Sequence, residues 1–172
     1  MELHVVFSHG LESGPSGSKI DALSEVARRR GAHVDALDYR ADRTPADRVE
    51  RLVAHATRLP RQVVLVGSSL GAYVSLVACE HVRPAALFLM APAVYLEKPG
   101  LEVKTFPGLP ADVSVVHGWG DDVVPSANVL RFADAHRAEL TLVDAGHRLN
   151  DQRSLATLAE RFDALLARVP AG

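Results

Sequence analysis

Five residues near the middle of the chain, Gly67-Ser68-Ser69-Leu70-Gly71, form the pattern G-x-S-x-G. The pattern follows the apolar run Gln62–Val66 and precedes a helical pattern, so it predicts a tight turn between a strand and a helix. In such a turn the central serine is strained and its hydroxyl is exposed above the sheet. A glycine-rich turn capped by Ser68 or Ser69 is the alternative interpretation. The spacing of the two glycines selects Ser69 as the candidate nucleophile.

A serine hydroxyl is a poor nucleophile until a neighbouring imidazole accepts its proton, and the imidazole needs an acid on its other nitrogen. The sequence offers a candidate base, His147, and a candidate acid, Asp121, after two later strands. Each has a plainer interpretation. His147 could cap a turn in a surface loop, and Asp121 could be the N-cap of a helix that opens near Pro125. Asp122 could also share the acid's role.

The elements that must position these residues alternate between short β-branched runs and longer helical patterns. Strands are predicted at Leu3–Phe7, His33–Leu37, Gln62–Val66, Ala85–Met90, Val113–Val116 and Leu140–Val143. Helices are predicted at about Ser18–Arg30, Pro45–Arg58, Ser69–His81, Pro125–His136 and Asp151–Val169. Continuous apolar strands are typical of a parallel sheet covered on both faces. We therefore predict an α/β fold, with a doubly wound, mostly parallel six-stranded sheet flanked by helices.

In such sheets the active sites lie beyond the carboxyl ends of the strands, where all three candidate residues fall. With these pieces in the order nucleophile, acid, histidine, the chain resembles the α/β-hydrolase superfamily, and specifically its small, lidless, esterase-like members. The segment His117–Pro125 resembles the acid turn H-G-x-x-D-x-x-V-P of the superfamily. The segment Asp144–Arg148 resembles its histidine loop, and His9-Gly10-Leu11 resembles its oxyanion loop.

The resemblance implies a minimal α/β-hydrolase fold, without a large cap and without the first two strands of the full superfamily. It also implies that Ser69, Asp121 and His147 form a catalytic triad. By position and by resemblance, the backbone N–H groups of Leu11 and Leu70 would bind the oxyanion. The acyl group would contact residues of nearby loops, and the candidates for that substrate pocket are Tyr95 and Trp119.

Three other segments have less specific interpretations. The segment Ala91–Pro110 contains four prolines and two glycines, so we expect an extended loop or a very small lid. The segment Leu11–Lys19 is rich in glycine and serine, and we expect it to shape the oxyanion loop, with Ser18 as a helix cap. A phosphate or a CoA-type substrate group docking there is the alternative. The arginine-rich stretch Arg40–Arg61 also contains acids, which favours a solvated helix of mixed charge.

The composition of the chain limits which classes of protein and which partners are expected. The 172 residues are 48% hydrophobic and 23% charged. This length and composition favour a single globular domain that spans residues 1–172. The formal charge of -2 weighs against a nucleic-acid partner. With one cysteine, Cys79, no internal disulfide can form, and neither a metal nor an organic cofactor is implied. We expect no membrane segment and no signal peptide, and hence a cytoplasmic protein; the oligomeric state stays open.

The leading hypothesis is a serine hydrolase that cleaves small carboxylic esters or thioesters through an acyl-enzyme. A peptidase or an acyltransferase with the same triad is the second hypothesis. A binding protein that keeps the hydrolase fold without turnover is the third. His9 and His117 are expected to be structural residues beneath the site rather than catalytic bases.

Overall fold

A computed structural model of the chain describes residues 2–60 and 62–170. The strands are β1 (Leu3–Ser8), β2 (His33–Leu37), β3 (Gln62–Ser68), β4 (Ala86–Met90), β5 (Asp112–Gly118) and β6 (Glu139–Val143). The helices are α1 (Ser18–Arg29), α2 (Pro45–Ala56), α3 (Leu70–Val82), α4 (Ser126–His136) and α5 (Gln152–Arg168).

The six strands form one sheet in the order β2-β1-β3-β4-β5-β6. All five pairings are parallel, so the predicted doubly wound, six-stranded α/β fold is confirmed. The chain runs outward from β1 to β2 and then returns to place β3 on the other side of β1. The topological switch point of the sheet therefore lies between β1 and β3. In doubly wound sheets, a crevice that can bind ligands opens at the carboxyl ends of the two strands at this point.

The sheet is covered on both faces, as its apolar strands predict. Along β3, Val63 and Leu65 pack with the residues of α2, α3 and α4. Val64 and Val66 point to the opposite face and pack with α1 and α5. Because successive side chains of a strand alternate between faces, an unbroken apolar strand supplies both cores.

The segment 91–110 has no regular secondary structure and packs against the α3 and α4 side of the sheet. Val94, Leu101 and Phe106 are buried in the core on that face. Asn128 of α4 donates to the carbonyl oxygens of Val94 and Tyr95, at 3.0 and 3.3 Å. These contacts hold the segment along its length.

Several predicted element ends differ from the structure. Ser69 precedes α3 as its N-cap instead of opening the helix, and Pro125 precedes α4 in the same way. The expected cap of α1, Ser18, is its first helical residue, and Gly17 with φ 144° occupies the cap position. The strands β1, β3 and β5 end one or two residues later than predicted, and β5 also begins one residue earlier, because pairing to a neighbouring strand continues through small residues such as Gly67 and Gly118. Within the described ranges, no helix is long and apolar enough to cross a membrane.

Candidate active site

The turn between β3 and α3 holds Ser69 in an unusual backbone conformation. Its φ of 54° and ψ of -114° lie outside the regions that residues with a Cβ normally occupy. Such a conformation costs of the order of 1–3 kcal/mol and persists only where the surroundings impose it. Here the Ser69 N–H donates to the Met90 carbonyl at 2.9 Å, and the Ser69 carbonyl accepts from the N–H of Ala93 at 3.2 Å. The start of the segment after β4 therefore fixes the turn.

The two glycines of the pattern are required by close approach of the backbone. A Cβ at Gly67 would lie 2.5 Å from the Cα of Ala72 in α3. A Cβ at Gly71 would overlap the carbonyl groups of Ser8 and His9 at the end of β1. Replacing either glycine would push α3 away from the sheet and move Ser69.

The three candidate catalytic residues form one hydrogen-bonded chain. Nε2 of His147 lies 2.9 Å from Oγ of Ser69, and Nδ1 of His147 lies 2.7 Å from Oδ2 of Asp121. A carboxylate can only accept, so Nδ1 carries the proton and Nε2 is free to accept from the serine hydroxyl. The structure thus brings together side chains from three different strand ends, with the histidine in the tautomer that a general base needs.

The carboxylate of Asp121, the candidate acid, is fully buried and is held by backbone N–H groups. The side chain of Asp121 is 0% exposed, and its Oδ1 accepts from the N–H groups of Val123 and Val124, both at 2.8 Å. Nε2 of His117 donates to the Val124 carbonyl at 3.1 Å and lies 3.6 Å from Oδ2 of Asp121. Asp122, by contrast, is exposed. Asp121 is therefore the acid that contacts His147.

The loop that carries His147 is tied to both neighbouring regions. The Gly120 N–H donates to the Ala145 carbonyl at 3.0 Å, which joins this loop to the acid turn. On the other side, Nζ of Lys19 in α1 donates to the Arg148 carbonyl at 2.7 Å and to Oγ of Ser68 at 3.1 Å. Burial lowers the pKa of Lys19. Lys19 had no predicted role in holding this loop.

The predicted oxyanion donors flank Ser69. A Cβ at Gly10 would lie 3.7 Å from the Cβ of Ser69, so the loop after β1 runs directly beside the nucleophile. Leu11 follows Gly10 in this loop, and its side chain is 70% exposed. Leu70 is the first residue of α3, where backbone N–H groups have no partner within the helix. The role of these two amides as oxyanion donors stays a prediction.

A buried polar group lies beneath the oxyanion loop; it contains His9, which was expected there, and Arg48, which was not. Nδ1 of His9 lies 2.7 Å from the Gly10 carbonyl oxygen, and Nε2 of His9 accepts from the Tyr39 N–H at 2.9 Å. Nη1 of Arg48 donates to the carbonyl oxygens of His9 and Gly10, both at 3.3 Å. Arg48 is only 4% exposed. The expectation of a solvated helix is therefore wrong at Arg48, while Arg61 lies outside the described residues.

The two candidate pocket residues lie in different surroundings. Trp119, in the acid turn, is 58% exposed at the carboxyl edge of the sheet. Tyr95 is half-buried against the core, with the guanidinium carbon of Arg131 4.3 Å from the centre of its ring. Leu11, after β1, and Trp119, after β5, are both exposed and form an open rim at the carboxyl edge of the sheet, the edge at which Ser69 lies.

Clefts elsewhere on the molecule do not include the triad. One of about 860 Å³ lies against α2, and one of about 450 Å³ lies at the amino-terminal edge of the sheet, near Gln62. Over residues 2–60 and 62–170, no group of three or more His, Cys, Asp or Glu side chains is arranged to hold a metal ion.

Solved structures of other proteins share this fold. A protein of the α/β-hydrolase superfamily from Xanthomonas campestris pv. campestris is 35% identical, with a TM-score of 0.83 over 95% of this chain and 98% of its own. A serine hydrolase without a lid, from Xanthomonas campestris, is 21% identical, with a TM-score of 0.80 over 99% and 84% of the two chains. Est1E from Butyrivibrio proteoclasticus is 18% identical, with a TM-score of 0.77 over 99% and 89%.

The fold, the strained turn and the 35% identical relative define the class: this chain is a member of the α/β-hydrolase superfamily. Within it, residues 4–102 match the family described as "Uncharacterised protein family (UPF0227)", to which the chain belongs. A comparison with curated proteins gives no significant match.

Proposed function

We propose that this protein is a serine hydrolase that cleaves small carboxylic esters or thioesters through a covalent acyl-enzyme. The observation that carries the proposal is the continuous hydrogen-bonded chain from Ser69 through His147 to the buried Asp121. The strained conformation of Ser69 supports it as well, because such strain is concentrated at functional sites.

In the acylation step, Nε2 of His147 takes the proton of the Ser69 hydroxyl while Oγ attacks the carbonyl carbon of the ester. The carbonyl oxygen becomes an oxyanion, and the amides of Leu11 and Leu70 stabilise it. His147 then gives its proton to the leaving alkoxide or thiolate, and the ester bond breaks. Asp121 stays ionised and stabilises the imidazolium through Nδ1.

Deacylation repeats these steps with water as the nucleophile. Nε2 of His147 takes a proton from water, whose oxygen attacks the acyl carbon, and the same amides hold the second oxyanion. The proton returns to Oγ of Ser69 as the acid product leaves. The open rim at Leu11 and Trp119, which are 70% and 58% exposed, favours short or flexible acyl groups over long chains.

The alternative activities find less support in the described residues. Peptide cleavage needs subsites along the substrate on both sides of the scissile bond, and the rim around Ser69 is open. Acyl transfer would use the same acyl-enzyme with an alcohol or amine in place of water. A non-catalytic protein would not need the strained turn, which costs stability.

Intact mass after treatment with a fluorophosphonate probe tests the proposal. We expect a single adduct on the wild type and none on Ser69→Ala, together with hydrolysis of p-nitrophenyl acetate by the wild type alone. Ser68→Ala is the matched control, because it removes the adjacent hydroxyl and leaves Ser69 in place. An adduct on Ser69→Ala, or a folded wild type that does not react, would remove the assignment.

A further inference from the structure

The buried arginine beneath the oxyanion loop has no acidic partner within the part of the chain that the structure describes. Among the described residues, no carboxylate oxygen lies within 4.0 Å of Arg48, whereas the next arginine of α2, Arg51, pairs with Asp42 at 2.7 Å. The hydrogen-bond acceptors of Arg48 are the carbonyl oxygens of His9 and Gly10. A buried charge is costly unless it is paired or well hydrogen-bonded. Because burying the charge of Arg48 costs stability, we expect a role of its guanidinium in the oxyanion loop in addition to packing.

The geometry of the peptide bond supplies a reason. The bond between Gly10 and Leu11 is trans, so the Gly10 C=O and the Leu11 N–H lie in one plane and point in opposite directions. Whatever fixes the Gly10 carbonyl therefore also fixes the direction of the Leu11 N–H. Arg48 holds that carbonyl from the buried side, which turns the Leu11 N–H away from the core.

His9 holds the same carbonyl. Nε2 of His9 accepts from the Tyr39 N–H, so it carries no proton, and the proton of the neutral ring is on Nδ1. Nδ1 then donates to the Gly10 carbonyl at 2.7 Å. Burial and the charge of Arg48 lower the pKa of His9, which keeps the ring neutral and preserves this arrangement.

Tyr39 holds the arginine and completes the group. The guanidinium carbon of Arg48 lies 5.3 Å from the centre of the Tyr39 ring, at the distance of a cation–π contact. The Tyr39 hydroxyl lies 2.8 Å from Oγ of Ser8 at the end of β1. Arg48, which belongs to α2, is thus held against the end of β1 and against Tyr39, which lies two residues after β2.

We propose that Arg48 is a positioning residue of the oxyanion hole, which acts on the reaction through the peptide bond between Gly10 and Leu11. Its guanidinium fixes the Gly10 carbonyl so that the Leu11 N–H points at the oxyanion. A cation on the carbonyl oxygen also polarises the amide and strengthens its N–H as a donor. This inference rests on the proposed function.

The test compares Arg48→Met, which removes the guanidinium, with Arg48→Lys, which keeps a charge. The control is Arg51→Met, because Arg51 lies on the same helix and pairs with Asp42 instead of the loop. The readouts are kcat and KM for p-nitrophenyl acetate per active site titrated with the fluorophosphonate, and inhibition by an aliphatic trifluoromethyl ketone. That ketone forms an oxyanionic adduct with the serine.

Outright loss of an oxyanion donor lowers kcat by about 10²–10³. Because Arg48→Met would loosen the donor without removing it, we expect kcat per titrated site to fall about tenfold, with KM within about twofold. The inhibition constant of the ketone should rise by the same factor as kcat/KM falls. Arg48→Lys should lie between Arg48→Met and the wild type, and Arg51→Met should match the wild type.

The outcomes separate the two proposals. A wild type that neither labels nor hydrolyses the ester removes the proposed function, and the oxyanion role with it. An active wild type beside an Arg48→Met variant that keeps wild-type kcat per site overturns the inference alone. Fewer titrated sites with unchanged kcat and ketone affinity would show that Arg48 only supports folding. Circular dichroism shows which variants fold, and Arg48→Lys keeps the test valid if Arg48→Met does not.

Discussion

The two sides of Ser69 are built in opposite ways. On the side of β5 and β6 the proposed functional groups are side chains, and the backbone holds them: the amides of Val123 and Val124 bind Asp121, which in turn contacts His147. On the side of β1 and β2 the proposed functional group is the backbone N–H of Leu11, and side chains hold its peptide: His9 and Arg48 bind the Gly10 carbonyl.

This difference decides what substitution can reveal. On the acid side, changing a functional residue removes the functional group itself. On the side of β1 and β2, changing the Leu11 side chain leaves the proposed oxyanion donor, its backbone N–H, in place, and we expect the buried side chains beneath it to be the sensitive ones. Matched changes to side chains and to backbone amides on the two sides of Ser69 can therefore test this difference.

The largest effect is expected on the acid side, from Asp121→Asn. An amide can still accept from Val123 and Val124, but its NH₂ group cannot accept the Nδ1 proton of His147, so the tautomer is lost. We expect kcat for p-nitrophenyl acetate to fall by about 10³–10⁴, with little change in folding. Asp122→Asn is the matched control, because that side chain is exposed, and its kcat should stay within about twofold. Comparable losses in both variants would contradict the assignment of Asp121.

A smaller loss is expected on the oxyanion side, and only from a change in the backbone. Replacing Leu11 by its α-hydroxy analogue converts the amide to an ester, which removes the N–H and keeps the side chain. We expect kcat per titrated site to fall by about 10². Leu11→Ala keeps the N–H, and since the Leu11 side chain is 70% exposed, it should change kcat by less than about threefold.

The same amide-to-ester change at Glu12, one residue further along the loop, is the control and should leave kcat near the wild-type value. A large loss from Leu11→Ala, or none from the ester, would show that the oxyanion donor is a different group. The contrast between the two sides of Ser69 would then not hold.

The sequence made the acid side predictable because its signals are local. The glycines around Ser69, the acid turn and the histidine loop each lie within one short segment at a strand end, and a parallel sheet brings such ends together. The choice of Asp121 over Asp122 depended on which side chain turns inward. The sheet was predictable for a similar reason, since unbroken apolar strands such as β3 indicate two covered faces.

The oxyanion side was only partly predictable, because its supporting residues are far apart in the sequence. Arg48 lies among charged residues, and the composition of α2 predicts a solvated helix. Yet Arg48 precedes the buried residues Leu52 and Ala56 by four and eight positions, so helical periodicity places it on their buried face. That signal was available, but the carbonyl groups that accept from Arg48 could be found only in the folded chain.

The smallest predicted effect concerns stability, and it involves one buried histidine from each side. Burial lowers the pKa of both His9 and His117 from the ordinary value of 6.5; the charge of Arg48 adds to the effect at His9, and nearby Asp121 opposes it at His117. The unfolded chain therefore binds more protons than the folded one as the pH falls below about 6.5, so folding stability should decrease there. The carboxyl groups whose pKa is lowered, such as Asp151 and Asp163, act in a separate window below about pH 4.

We expect the Tm of the wild type to fall by a few degrees between pH 7 and pH 5.5. His117→Gln keeps a donor for the Val124 carbonyl and removes the titration, so its Tm should depend less steeply on pH even if it is lower at pH 7. His33→Gln is the control, because His33 is exposed and should keep the slope of the wild type. Thermal unfolding measured between pH 7 and pH 5.5 checks the prediction. If Tm depended equally steeply on pH in the wild type and in His117→Gln, His117 would not contribute to the loss of stability at low pH.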